Sequence, residues 1–242
     1  MSILDPTSIQ RRSPIYRRHQ RSGALFKQFG DNFLVGNYND SKTISHEYDK
    51  ALALGICDLS TLPRVGFKGV GAPTWLAAQN IRLPIDPNTA VLQKSGALIA
   101  KLSEYEMLIL SDLFALSKEF QNLSSKAATE LQDYSQNTYI LPRSDSHCWF
   151  AVTGIKASEM FSKICGVDLR AHKFPQGSIA QTSVAKTNCV IIRNDLGKTP
   201  SFYILGDISG SEFLWDCLLD AMSEHGGVPV GIIALHQLLK HE

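Results

Sequence analysis

Two stretches of alternating apolar and polar positions set the first expectation. From Val65 the chain reads VGFKGVGAPTWLAAQ, and from Phe150 it reads FAVTGIKASEMFSKI. Each begins with period-two alternation, as a strand with one buried face does. Each then passes a glycine and opens into helical spacing, with Pro73 and Ser158 suited to a helix start. Under one common displacement Gly69 falls on Gly154, Val70 on Ile155, Ala72 on Ala157 and Trp75 on Met160. Further on, MLILSD (Met107–Asp112) resembles FYILGD (Phe202–Asp207), and helical periodicity follows both, in LFALSKEFQNL and SEFLWDCLLDAM. The pattern predicts an α+β fold of two similar units of the ferredoxin-like kind. The expected division is an N-terminal segment (1–50) packing with the second unit, a first unit over 51–140 and a second over 141–242. Trp75, Trp149 and Trp215 are expected to pack between the units.

Composition narrows the class without naming a chemistry. Apolar residues make up 44% and charged residues 19%, which is ordinary for a globular chain. The formal charge of +1 gives no overall pull toward nucleic acid or an anionic membrane. Basic residues do cluster early, in QRRSPIYRRHQRSG (Gln10–Gly23), where a solvated or partner-facing helix is the simpler reading and a nucleic-acid arm the other. No apolar run reaches the length of a membrane span, and the run behind the arginines is not a leader, so a cytoplasmic address is expected. The five cysteines form no C-x-x-C pair and lie mostly in apolar surroundings, which suits buried reduced thiols. His147 beside Cys148 cannot by itself make a tetrahedral metal site and is assigned to packing.

The usual catalytic patterns are missing. There is no G-x-S-x-G elbow, no H-E-x-x-H and no Walker loop, and GVGAP lacks the third glycine of a dinucleotide fingerprint. The pair Glu104 and Glu106 flanks a turn, and Asp216 and Asp220 stand at i, i+4 on a predicted helix, where a solvated face is the default. From chemistry alone no catalytic residue and no metal ligand is nominated.

A resemblance carries the reading further. SPIYRRHQRSGALFKQFGDNF (Ser13–Phe33) resembles the TPLY-x2-H-x3-GA-x-F-x2-F opening of the glycine-cleavage T-proteins, which are folate-dependent aminomethyltransferases. The matching positions are Pro14, Tyr16, His19, Gly23, Ala24, Phe26 and Phe29. Asp58, Leu59, Ser60, Gly69 and Ala72 carry a second match, to the family's AGLFDLSHMG-x-I-x-V-x-GPDA. The later half is closer to the gamma subunit of heterotetrameric sarcosine oxidase. CGVDLRAHKFPQGSIAQT (Cys165–Thr182) is similar to its GCPLDLHPRAFPPG-x-x-AQT, and FLWDCLLDA to its YLW-x-W-L-x-DA.

Such a likeness implies a T-protein-like folate-binding fold, and the chain ends at Glu242 where T-proteins continue into a C-terminal barrel domain. It also implies a tetrahydrofolate pocket, whose working groups are then looked for one by one. Near the place of the family's catalytic acidic pair stand Ile99 and Ala100. RTGYTGEDGFEI of the T-proteins aligns without a gap on RNDLGKTPSFYI (Arg193–Ile204), so Arg193 is kept while the pterin-binding glutamate becomes Tyr203. A carboxylate accepts two parallel hydrogen bonds from a pterin, and a phenol cannot reproduce that fork. GLGARD appears as GIIALH, with Leu235 and His236 in place of arginine and aspartate.

Two readings stay open. One is a non-catalytic gamma-type subunit of a sarcosine-oxidase-like complex, with flavoprotein alpha and beta partners that hold FAD, FMN and NAD. Its candidate contacts are the basic N-terminal segment and an exposed apolar run, VPVGIIALHQLL. The other is a stand-alone tetrahydrofolate- or pterin-binding protein in which Arg193 and Tyr203 meet the ligand. A homo-oligomer is the further alternative to the flavoprotein partners; no nucleic-acid or membrane partner is expected. The plain structural reading gives Arg193 to a salt bridge at a strand end and Tyr203 to the core.

Overall fold

Both predicted strand–glycine–helix junctions form. The computed structural model describes residues 11–38, 44–132 and 136–240. The chain opens with α1 (Tyr16–Arg21), β1 (Ala24–Phe29), β2 (Asn32–Tyr38), α2 (Ile44–Leu54) and β3 (Gly55–Asp58). Next come β4 (Arg64–Lys68), α3 (Ala72–Ala78), β5 (Thr89–Leu92), β6 (Leu98–Ser103) and β7 (Glu106–Leu110). They are followed by α4 (Lys118–Glu130), β8 (Tyr139–Leu141) and α5 (Arg143–Ser146). The last stretch holds β9 (His147–Thr153), α6 (Ala157–Phe161), β10 (Ile179–Val184), β11 (Thr187–Arg193) and β12 (Ser201–Asp207). It ends with α7 (Ser211–Ser223), β13 (Val228–Pro229) and α8 (Ile232–Lys240).

The α+β class follows from this alternation, and the internal repeat shows in the strand orders. Besides the two-stranded β1-β2 sheet, one sheet runs β5-β6-β7-β4-β8 and another β10-β11-β12-β9-β3-β13. In each, a hairpin of the two later strands is laid beside the strand that leads into the first helix. Each half therefore runs β-α-β-β-β-α-β, one strand more than a ferredoxin-like βαββαβ unit. At the junctions, Gly69 takes φ +120° and Gly154 φ +113°. A Cβ at Gly69 would stand 2.1 Å from the carbonyl oxygen of Asn137, and one at Gly154 2.4 Å from that of Ala53. Only glycine fits such a left-handed turn with backbone so near.

The chain clusters into two compact units. One takes Leu62–Ser146 and Gly177–Ile179; the other takes Met1–Thr61, His147–Gln176 and Ala180–Glu242. The sequence-based boundary at residue 51 comes one strand too early. β3 pairs antiparallel with β9, Ile56 opposite Val152 and Asp58 opposite Phe150, so it belongs to the sheet of the other unit. Each unit has its own core. Phe67, Trp75, Leu76, Ile109 and Leu123 pack together in the smaller one. Ile56, Phe150, Phe161, Phe202, Trp215 and Leu218 form the centre of the larger.

Several sequence expectations need correction. Trp75 and Trp215 lie inside the cores of their own units. The helix read from LFALSKEFQNL starts later, at Lys118, because the Asp112 carboxylate takes the backbone N–H groups of Phe114, Leu116 and Ser117 and winds that segment into a turn. The apolar run VPVGIIALHQLL is no exposed surface: Val230, Ile232, Ala234, Leu235 and Leu238 are buried within the chain.

Candidate functional site

Arg193 ends β11 and Tyr203 sits in β12, and the register of this hairpin decides what they can do together. Arg193 lies opposite Phe202, whereas Tyr203 lies opposite Ile192. Directly opposed residues share a face and successive residues alternate, so Arg193 and Tyr203 project from opposite faces of the sheet. Their surroundings agree. The Arg193 guanidinium stands 6.0 Å from the Phe202 ring centroid, on the core side. Tyr203 meets Trp149 edge-on, with ring centroids 5.2 Å apart.

Both side chains are also engaged within the chain. Arg193 gives Nε and Nη2 to the Asp195 carboxylate at 2.9 and 2.8 Å, the bidentate fork that guanidinium and carboxylate form best. Its Nη1 donates to the carbonyl of Phe174 at 2.8 Å. Asp195 in turn receives the backbone N–H of Ser201, which closes the loop on itself. The Tyr203 hydroxyl accepts from Asn194 Nδ2 at 3.1 Å, and burial raises its pKa although that hydrogen bond opposes the rise. Trp149, by contrast, is wholly buried and its indole N–H finds no partner. At the place of the family's acidic pair, Ile99 and Ala100 are paired into the interior of β6, opposite Ile109 and Leu108 of β7. Both are buried. Leu235 is buried on α8, and His236 packs edge-on to Phe29 with centroids 5.4 Å apart. The residues present thus offer a folate no carboxylate fork and no free guanidinium at these positions.

The densest polar constellation was not foreseen as a unit. His19 of α1 and Asp58 at the end of β3 meet in the interior, Nε2 to Oδ2 at 2.8 Å. The other ring nitrogen, Nδ1, stands 2.8 Å from the hydroxyl of Tyr38 in β2. Ser13 donates its hydroxyl to the same Asp58 oxygen, and the backbone N–H of Ser60 donates to Oδ1 at 2.9 Å. Burial alone would raise the Asp58 pKa, but the hydrogen bond and charge of His19, helped by Ser13 and Ser60, outweigh it and hold the carboxyl below its usual range. Trp215 closes the pocket edge-on to His19 at 5.0 Å. The order of these groups differs from a nucleophilic triad: serine and histidine both bind the aspartate, and the second imidazole nitrogen faces a phenol. All are sealed from solvent, so the group ties α1, β2 and β3 together and has no access to a substrate. A similar tie lies nearby. Glu47 of α2 accepts the backbone N–H of Tyr38 and, at 2.9 Å, that of Gly231 before α8. Burial raises its pKa against those hydrogen bonds. His19 and Asp58 each stand at a position of the family resemblance, which was the available signal; that they touch depends on a fold that brings residues far apart in sequence together.

Among the described residues no group of three His, Cys, Asp or Glu side chains is placed to hold a metal ion. No helix of those residues is long and apolar enough to cross a membrane.

Comparison with known proteins bears on this arrangement. The family model of the GCVT N-terminal domain matches residues 15–240. An aminomethyltransferase of Acidobacterium capsulatum is 25% identical, over 98% of this chain and 64% of its own length. One of Saccharopolyspora erythraea is 22% identical, over 93% of this chain and 62% of its own. The chain therefore spans less than two-thirds of the curated relatives it matches. Among solved structures, a chain of heterotetrameric sarcosine oxidase from Corynebacterium sp. U-96 superposes with a TM-score of 0.62 at 20% identity, covering 89% of this chain and 96% of that one. The glycine cleavage system aminomethyltransferase T from Bartonella henselae gives 0.67 at 16% identity, over 93% of this chain and 61% of that one.

Proposed function

The chain belongs to the family of the GCVT N-terminal domain, and from that membership we propose a non-catalytic, gamma-type subunit of a sarcosine-oxidase-like complex in folate-linked one-carbon metabolism. The observation that carries the reading is the state of the three inherited positions. The acidic pair's place is aliphatic strand interior, Arg193 is consumed by Asp195, and Tyr203 faces away from it. A side chain already forked to an internal carboxylate has little left for a ligand, and a family catalyst without its acid cannot steady charge on a folate nitrogen. The match to nearly the whole of one chain of a heterotetramer supports a subunit role. In this reading FAD, FMN and NAD belong to alpha and beta flavoprotein partners, in the cytoplasm. Affinity purification of the chain from its native cells tests it: a co-purifying flavin-containing complex with sarcosine oxidase activity is expected, and repeated isolation without any flavoprotein overturns the assignment.

One observation favours a second reading, a stand-alone tetrahydrofolate- or pterin-binding protein. The family model covers residues 15–240, and the curated relatives that match along nearly the whole chain are aminomethyltransferases. Titration calorimetry with tetrahydrofolate separates the two. Saturable binding supports the pterin reading, and absence of heat at high micromolar ligand leaves the subunit reading.

A further inference from the structure

The arginines at the start of the chain are not spread as a solvated face would be. Gln10–Gly23 holds five of the 24 lysines and arginines and no acid, which leaves 19 cationic against 23 anionic residues in the rest of the chain. The His19–Asp58–Tyr38 group pins the inner side of α1, and Ile15 is buried beneath it, so the cationic side is presented outward on a fixed platform. Two of the guanidiniums are pre-ordered by one aromatic ring. Arg12 and Arg17 lie 5.1 and 5.5 Å from the centroid of Tyr16. Both donate to its hydroxyl, Arg17 through Nε at 3.0 Å and Arg12 through Nη1 at 3.4 Å. A guanidinium held against a ring keeps its remaining N–H donors in plane and free for a second partner. Arg21 stands one helical turn from Arg17 on the same side. Arg18 is paired with Asp216, whereas Arg12, Arg17 and Arg21 are exposed and make no ion pair among the described residues.

We propose that Arg12, Arg17 and Arg21, ordered around Tyr16, form a docking surface for a carboxylate-rich patch of a protein partner. This deepens the subunit reading, on which the existence of such a partner rests, by naming the surface. Charge complementarity selects the occupant. The cationic area is confined to one short helix and the few residues before it, while the remainder of the chain is net anionic. A nucleic acid extends its phosphates beyond so small an area and would meet that anionic remainder. Tyr16 is covered by guanidiniums and is no stacking platform for bases.

The experiment titrates the full chain with hexaglutamate, and in parallel with a single-stranded oligothymidylate of equal charge, at low and near-physiological salt. Hexaglutamate is expected to bind at low salt, to weaken about tenfold or more as the screening length shortens, and to lose about tenfold in the triple variant Arg12→Gln, Arg17→Gln, Arg21→Gln. Unchanged far-ultraviolet dichroism and melting temperature show that the variant is folded. No hexaglutamate binding, or equal binding by the variant, overturns the proposal. Oligothymidylate binding more than about tenfold tighter, lost in the same variant, assigns the surface to nucleic acid and overturns it too. Because the probe is a peptide, failure here leaves the flavoprotein co-purification untouched, and failure of that purification leaves this result standing.

Discussion

The two halves of this chain share a strand order but not an interior. In the smaller unit, β4 to β8 close over an aliphatic and aromatic core; Glu106 meets Lys68 at 3.1 Å and Arg143 at 2.6 Å, both at least partly solvated, and the buried Arg64 and Asp112 are met mainly by nearby backbone groups. In the larger, the same order receives extra elements from the N-terminus, β3 among them, and carboxylates come inside with it. Asp58 and Glu47 are there, each satisfied by donors from other segments. The topology was duplicated; the His19–Asp58 and Glu47 networks belong to what was added around one copy. A buried charge is tolerable only where several donors converge.

The largest test of that contrast is Asp58→Ala. Removing one member of a buried charged network leaves His19, Ser13 and Ser60 with unmet donors, and a loss of about 3–5 kcal/mol is expected by urea denaturation. No comparable loss is expected for Glu106→Ala in the other half, where about 1 kcal/mol or less is the usual scale for solvated pairs. Equal effects would break the comparison. Next come the shared junctions. Gly69→Ala and Gly154→Ala should each cost about 2–3 kcal/mol, since both put a Cβ against a carbonyl at positive φ. A mild effect at one alone would mean that the junctions are not equivalent. Arg193→Lys keeps the charge but breaks the fork to Asp195, and should cost about 1–2 kcal/mol with no effect on any flavin chemistry of a complex.

The smallest effect is one of pH. The Asp58 pKa is depressed by folding, so its contribution is present above the unfolded value of about 3.9 and is lost as pH falls toward the folded value. Glu47 runs the other way: its pKa is raised, so its contribution is present below about 4.3 and is lost as pH rises through the folded value. Melting temperatures measured from pH 6 down to 3 should therefore decline less steeply in Asp58→Asn than in the wild type, and more steeply in Glu47→Gln.

Much of the architecture was legible because it rests on local pattern. Alternation followed by Gly69 or Gly154 announces a strand, a turn and a helix within fifteen residues, and repetition of that pattern reveals the duplication. The division at Thr61 was not, since whether β3 joins the near or the far sheet depends on its pairing with β9, about ninety residues away. The Arg193–Tyr203 pair fails as a joint site for a related reason. An alignment places two residues side by side in a motif, but strand parity sends them to opposite faces, and parity follows from the hairpin register. The burial of VPVGIIALHQLL was equally hidden, because an apolar run reads the same whether it is covered by its own chain or by another.

The approach of Gly231 to β2 has a consequence for biosynthesis. A Cβ there would stand 2.0 Å from the carbonyl oxygen of Gly36, and Glu47 holds both strands of backbone at once. An early strand is thus completed only when a segment nearly two hundred residues later has left the ribosome. Until then β2 and α2 lack that cover, which is the kind of transient exposure that opens a nascent chain to association with other polypeptides.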